Sequence, residues 1–212
     1  MLYSERSAAI LERLGQKSAV TVKELSKELN VSVDTIRRDL KSMEQSGLLK
    51  CVHGGACLPD QDQQFSPFIS REIIHVKQKQ ELVQKALRFL KDGDVAAVNS
   101  GTTGTLFAEE LAKTRVQATI VTNNIAVIGI LMGHPTIQII DTGGMLDGKE
   151  KSLYGHDCEE VFLRYHYDVA FLSMNAVSLE NGYTDFRLNE IPNISLIAGR
   201  SDYTVAVMDS SK

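Results

Sequence analysis

Residues 33–45 can gather groups that grip nucleic acid on one side of a helix. At about 100° per residue, Val33, Ile36, Leu40 and Met43 share a face; Asp34, Arg38, Lys41 and Gln45 fall opposite, with Thr35, Arg37 and Ser42 on the flanks. Guanidinium, ammonium, amide and hydroxyl groups read base edges and hold phosphates in the major groove, arginine reaching guanine through two hydrogen bonds. A solvated helix face has the same composition, so the pattern alone leaves both readings open. A second stretch, Asn99-Ser100-Gly101-Thr102-Thr103-Gly104, follows a short apolar run and precedes a helical pattern. Such a turn exposes backbone N–H groups at a helix N-terminus, which suits a phosphate or serves as a plain cap. Cys51, His53 and Cys57 are close enough to suggest part of a metal site. Structural zinc takes four ligands and no fourth stands nearby, so a buried thiol and an ordinary histidine are expected, with no metal or cofactor.

The elements that must position these groups begin with three short helices. Ser4 is expected to cap a helix carrying Ala9, Ile10, Leu11 and Leu14, with Gly15 ending it. Thr21 and Glu24 have capping-box spacing ahead of Leu25 and Leu29, and Asn30-Val31 supplies a turn. Ser32 caps the third helix, and Gly47 stands where a left-handed C-terminal cap is needed. Two helices joined by so short a turn make a helix-turn-helix. Leu48 to Ala56 then reads as a short apolar strand running into a Gly-Gly turn, the shape of a wing. Residues 58–70 are polar, carry Pro59 and Pro67, and read as a linker.

From Arg71 onward helix and strand alternate. Leu82, Val83, Ala86, Leu87 and Leu90 form a helical stripe. Short apolar runs at 95–98, 119–121, 137–140, 169–172 and 204–208 predict strands, with helices around 104–114, 124–133, 157–165 and 188–200. That alternation predicts an α/β domain with a mostly parallel sheet covered on both faces, whose ligands bind beyond the carboxyl ends of the strands. Those ends carry Asn99 to Gly104, Thr122-Asn123-Asn124, Asp141-Thr142-Gly143-Gly144 and Asp209 to Lys212.

Composition narrows the classes. The chain is 43% apolar and 24% charged over 212 residues, as in a globular protein, and no apolar run approaches the roughly 18 residues a membrane span needs. The N-terminus lacks the basic-then-apolar order of a signal peptide, so a cytoplasmic location is expected. Three cysteines are an odd count, unlike a disulfide framework. The net charge is −4, but residues 1–56 carry nine Lys/Arg against seven Asp/Glu, a net +2, while the rest carries 14 against 20. The basic balance lies in the segment bearing the helix-turn-helix.

Val31-Ser32-Val33-Asp34-Thr35-Ile36-Arg37-Arg38-Asp39-Leu40, followed by Gly47-Leu48-Leu49 and His53-Gly54-Gly55-Ala56, strongly resembles the signature of the DeoR family of sugar-metabolism regulators. The resemblance covers nearly the whole chain. It implies a winged helix-turn-helix over 1–57, the linker over 58–70, and over 71–212 an effector domain similar in fold to ribose-5-phosphate isomerase. The DNA-contacting residues expected from face and family together are Ser32, Asp34, Thr35, Arg37, Arg38, Lys41, Lys50, His53 and Gly54. The resemblance further implies that Asn99, Ser100, Gly101, Thr102 and Thr103 lie at a bound phosphate. Asn123, Gly143, Gly144 and Glu190 would line a sugar pocket, and Lys212 would supply a counter-charge. The partners implied are double-stranded operator DNA, a phosphorylated sugar effector and further copies of the chain in a homodimer or homotetramer.

Several positions depart from the family pattern. Asn99 stands where an aspartate is frequent, Ser173 and Ala176 replace glycines, and Ile194 occupies a place where lysine is common. Pro192 is expected to interrupt the last helix. The chain ends at Lys212, where the family usually continues through another helix and strand, so a truncated form is expected. The competing class is a sugar-phosphate isomerase of the same fold. It would need a carboxylate base, for which Glu190 is the obvious candidate, and would leave the helix-turn-helix without a role. The expected function is therefore a DNA-binding repressor of a sugar-utilisation operon, not an enzyme.

Overall fold

The computed structural model describes residues 2–17, 19–52, 54–58, 68–73 and 75–209. The chain divides into two compact units, Met1–Val76 and Lys77–Lys212.

In the first unit, α1 (Tyr3–Gln16), α2 (Val22–Glu28) and α3 (Val33–Gln45) enclose a core of Ile10, Leu11, Leu14, Leu25, Ile36, Leu40 and Met43. The apolar stripe foreseen on the third helix is the buried one. Thr21 and Glu24 form a reciprocal capping box, the Glu24 N–H donating to Thr21 Oγ1 at 3.2 Å and the Thr21 N–H to Glu24 Oε2 at 2.9 Å. Ser32 caps α3 by accepting from the Thr35 N–H at 3.1 Å. The first helix differs from expectation. It starts at Tyr3, so Ser4 lies inside it, and the Leu2 N–H is satisfied by the Glu5 carboxylate at 2.8 Å. It also runs past Gly15 to Gln16, because Gly15 has no positive φ with which to terminate it.

The wing is a three-stranded antiparallel sheet, ordered β1 (Ala19–Thr21), β3 (Gly55–Cys57), β2 (Lys50–Val52). Its Gly-Gly pair has a steric cause. Gly54 turns the hairpin with φ +80°, and a Cβ on Gly55 would lie 2.0 Å from the Val20 carbonyl oxygen, so only glycine lets β3 pass β1. The residues at 58–70 read as a linker are helical from Phe68, where α4 (Phe68–Ile73) begins.

The second unit is a three-layer α/β/α arrangement. A parallel sheet runs in the order β12 (Ser201–Ala206), β9 (Tyr167–Leu172), β4 (Val95–Val98), β5 (Ala118–Thr122), β6 (Ile137–Asp141). Strand residues alternate between the two apolar layers, as period-two geometry demands. Ala96, Val98, Ile120, Val169 and Phe171 pack with α5 (Val76–Ala86), α6 (Thr102–Leu111) and α7 (Ile125–Leu131). Ala97, Val121, Ala170 and Leu172 pack with α8 (His156–Arg164) and α9 (Ile191–Gly199). Two short hairpins, β7 (Met145–Asp147) with β8 (Ser152–Tyr154) and β10 (Ala176–Ser178) with β11 (Gly182–Thr184), were not foreseen. The last strand, at Ser201–Ala206, begins and ends a few residues earlier than the apolar run at 204–208 suggested.

Pro192 does not interrupt α9; it occupies the second helical position, where the N–H has no acceptor within the helix. Ile194, placed where lysine is common, packs into the apolar layer beneath the sheet.

Candidate functional site

On the first unit, α3 presents Asp34, Arg37, Arg38, Lys41, Ser42 and Gln45 to solvent, with Thr35 half-buried beside them. Arg37 and Asp34 form an exposed ion pair at 3.3 Å, a contact of the kind that contributes little and is easily exchanged. Ser32 is held as the helix cap, its hydroxyl also 2.8 Å from Thr35 Oγ1. Glu44 ties the helix to the wing by accepting from the Cys51 N–H at 2.7 Å, which places Lys50 at the exposed start of β2 and Gly54 at the wing turn. Seven of the nine expected DNA contacts therefore lie on α3, its cap and the wing strand, and Gly54 on the turn; His53 lies outside the described residues.

On the second unit the chain leaves β4 at the centre of the sheet, adds β5 and β6 on one side, and returns to add β9 and β12 on the other. The carboxyl end of β4 is thus the topological switch point, where α/β sheets open a crevice. Asn99 to Thr103 occupy it. Gly101 has φ +134°, and a Cβ there would lie 3.2 Å from Ser173 Oγ, which explains why this turn carries glycine. Thr102 begins α6 with its side chain buried, and Lys79 of α5, itself 5% exposed, donates to Thr102 Oγ1 at 3.2 Å. A buried ammonium therefore stands at the helix N-terminus, where the dipole already favours an anion.

The other strand ends converge on the same turn. Asn124 donates to the Gly101 carbonyl at 3.1 Å and caps α7 by accepting from the Ala126 N–H at 3.0 Å. Arg187 donates to the carbonyl and hydroxyl of Ser100 at 3.1 and 2.9 Å and to the Ser173 carbonyl at 3.3 Å, and pairs with Asp185 at 2.7 Å. Burial opposes the charge on Arg187, but the bonds and field of Asp185 outweigh it and hold the guanidinium above its ordinary range. Glu190, the N-cap of α9, is 2% exposed and takes two 3.1 Å contacts from Asn123 Nδ2. Burial pushes its carboxyl up, against the opposing pull of Arg187 and of hydrogen bonds from Asn123, Ser100 and Ser152.

Asn123 Oδ1 and Asn193 Nδ2, an acceptor and a donor in this neighbourhood, are buried with no hydrogen-bond partner among the described residues. Gly143 and Gly144 form the turn after β6. Cys158 lies against Gly144 and bonds through Sγ to Thr142 Oγ1 at 3.2 Å. Its thiol is pushed up to about 11 by burial and stays protonated.

Of the expected effector residues, the structure brings together Ser100, Gly101, Thr102, Thr103, Asn123 and Glu190, with Gly143 and Gly144 at the end of β6. Asn99 stands just before the turn at Ser100, and its amide makes a reciprocal pair with the Ser173 backbone, at 2.9 and 2.8 Å, that braces β4 to β9. Lys212 lies outside the described residues. Lys79, Asn124, Asp185, Arg187 and Asn193 were missed. Lys79 carried a legible signal, because it falls on the buried face of α5 with Val83 and Ala86, where a lysine is out of place.

Among the described residues no group of His, Cys, Asp and Glu is arranged to hold a metal, and no helix is long and apolar enough to cross a membrane.

Residues 6–62 match the DeoR-like helix-turn-helix domain and residues 74–212 the DeoR C-terminal sensor domain. The chain is similar to the HTH-type transcriptional regulator GolR of Listeria innocua, 32% identical over 98% of this chain and 82% of that protein. It is 27% identical to the glycerol-3-phosphate regulon repressor of Escherichia coli over 100% of this chain and 83% of the relative. It is 31% identical to the L-fucose operon activator of Haemophilus influenzae over 98% and 82%. Among solved structures it is similar to ribose 5-phosphate isomerase A of Methanocaldococcus jannaschii, at 16% identity over 64% of this chain and 53% of that one, with a TM-score of 0.47. Helix-turn-helix and sensor domain together define a DNA-binding transcription regulator, not an enzyme. The chain belongs to the DeoR family.

Proposed function

We propose that the chain is a repressor of a sugar-utilisation operon, acting in the cytoplasm as a homodimer or homotetramer, and that a phosphorylated sugar releases it from its operator. The observation that carries the effector is the buried Lys79 ammonium on Thr102 at the N-terminus of α6. A phosphate on Ser100 to Thr103 would meet backbone N–H groups, three hydroxyls and a point charge that lysine suits well. The orphan acceptor on Asn123, the orphan donor on Asn193 and the Glu190 carboxylate offer the mixed polar partners that sugar hydroxyls need. Lys79 would supply a counter-charge there, beside the one that resemblance assigns to Lys212. Names of relatives that refer to glycerol-3-phosphate and L-fucose support a carbohydrate regulon.

Arg37, Arg38, Lys41 and Lys50 would meet DNA phosphates and base edges, with Ser32, Asp34, Thr35, His53 and Gly54 completing the contact. The test is a titration of the chain against operator DNA with and without phosphorylated hexoses, pentoses and ketoses. Release by one phosphorylated sugar and not by its unphosphorylated form is the expected result. No release by any of them would remove the sensing half of the proposal.

A further inference from the structure

The apolar stripe of Ile36, Leu40 and Met43 holds α3 on its core, but apolar contact is non-directional and tolerates small rotations. One polar fastening adds what the stripe lacks. Asp39 lies between Arg38 on the reading face and Leu40 in the core, and is 5% exposed. Its two carboxylate oxygens accept from Arg6 of α1, Nε at 2.6 Å and Nη2 at 3.0 Å. Three residues along each helix, the Tyr3 hydroxyl donates to Ser42 Oγ at 3.1 Å. The two contacts run as rungs between α1 and α3, and Tyr3, Arg6, Thr35, Arg38, Asp39 and Ser42 line one concavity.

We infer that the Arg6–Asp39 fork is a positioning pair for DNA reading, setting the rotation of α3 without either residue having to touch a base. A bidentate guanidinium–carboxylate contact fixes orientation as well as distance, which neither the apolar stripe nor a lysine in place of Arg6 can do. The lever is short. With side chains about 5–6 Å from the helix axis, a rotation of roughly 20° moves an outward group by about 2 Å, enough to break a base-edge hydrogen bond. A part-buried ion pair is also a modest source of stability compared with apolar side chains of the same volume, so its presence at the foot of the reading helix fits a role in specificity.

The experiment compares the full chain with the double variant Arg6→Met/Asp39→Leu, which leaves net charge unchanged, and with Arg6→Lys. The DNA probes are a duplex selected from a random pool by the wild-type chain and a scrambled duplex of the same composition. The double variant is expected to unfold at the wild-type temperature and to bind scrambled DNA with the wild-type salt dependence. Its preference for the selected duplex should fall by about tenfold, the scale of one misplaced base contact. Arg6→Lys keeps the charge but not the fork, and should fold and lose part of that preference. It decides the matter if the double variant does not fold. A double variant or Arg6→Lys chain that discriminates the two duplexes as wild type does would overturn the inference. So would a loss of affinity equal for both duplexes.

Discussion

Asn123 Nδ2 lies 3.1 Å from both carboxylate oxygens of Glu190, and both residues are buried away from water. Because burial raises the Glu190 carboxyl above its ordinary value of 4.5, the folded protein releases that proton later than the unfolded chain. The sign follows from proton linkage. The contribution is fully favourable below the ordinary carboxylate range and is lost as pH rises through the raised folded-state value. Glu190→Gln, which has no charge to bury, should raise the unfolding midpoint at neutral pH, by about 2–4 °C for each 1 kcal/mol relieved. The gain should shrink as pH falls through the raised folded-state value toward 4.5, and be gone below it. Thermal melts of both proteins across that range check it; a gain independent of pH would show that Glu190 ionisation is not its source.

Asp185 and Arg187 form a second buried pair, with side chains 3% and 4% exposed. Every guanidinium nitrogen is engaged, with Asp185, Ser100 or Ser173. Asp185→Ala would leave a buried cation without its counter-ion, and losses of this kind are about 3–5 kcal/mol. Urea unfolding is the measurement. A cost below 1 kcal/mol, the range of an exposed pair, would mean that water reaches Arg187.

Arg38 is exposed on the reading face, and its Nε contact to the Asp34 carbonyl is long at 3.4 Å. Arg38→Ala should weaken operator binding by about 1–3 kcal/mol while leaving the unfolding midpoint unchanged. Arg37, Arg38, Lys41 and Lys50 should also make the wild-type affinity fall steeply with salt, log K dropping with log salt by about 0.9 for each phosphate neutralised. A mobility-shift titration at several salt concentrations reads both quantities; unchanged affinity would take Arg38 off the contact surface.

The parts of this fold that were legible in the sequence are those governed by local periodicity and caps. Ser32, Thr21 with Glu24, and the Ile36-Leu40-Met43 stripe each act through residues three or four positions away. The buried strands were legible because their apolar runs are continuous. The hairpins β7–β8 and β10–β11 were not, since each strand has three residues and β11 is exposed throughout, leaving no apolar alternation to read. The candidate effector site was half legible. Its turn at Ser100 to Thr103 is contiguous, whereas Lys79 and Arg187 reach it from 23 and 87 residues away, a proximity that only the sheet topology creates.

That long reach yields the most discriminating prediction. If Lys79 supplies the counter-charge for a bound phosphate, Lys79→Met keeps the buried apolar stem and removes the charge together with the hydrogen bond to Thr102. Losing one charge-assisted contact weakens binding by about 1.5–3 kcal/mol, or roughly 10–100-fold. Gly101→Val should act at the same place through shape, because its side chain would need φ +134° and would press on Ser173 Oγ. An effector can shift an equilibrium only by its difference in affinity for the two states, so a variant that no longer holds the phosphate should stay on the operator. Both variants are expected to bind operator as wild type does and to require at least tenfold more phosphorylated sugar for release, while the response to the unphosphorylated sugar stays absent. Calorimetric titration with the effector, run beside the DNA assay, separates failure to bind from failure to transmit. If Lys79→Met binds the phosphorylated sugar with wild-type affinity, the phosphate does not sit at the N-terminus of α6.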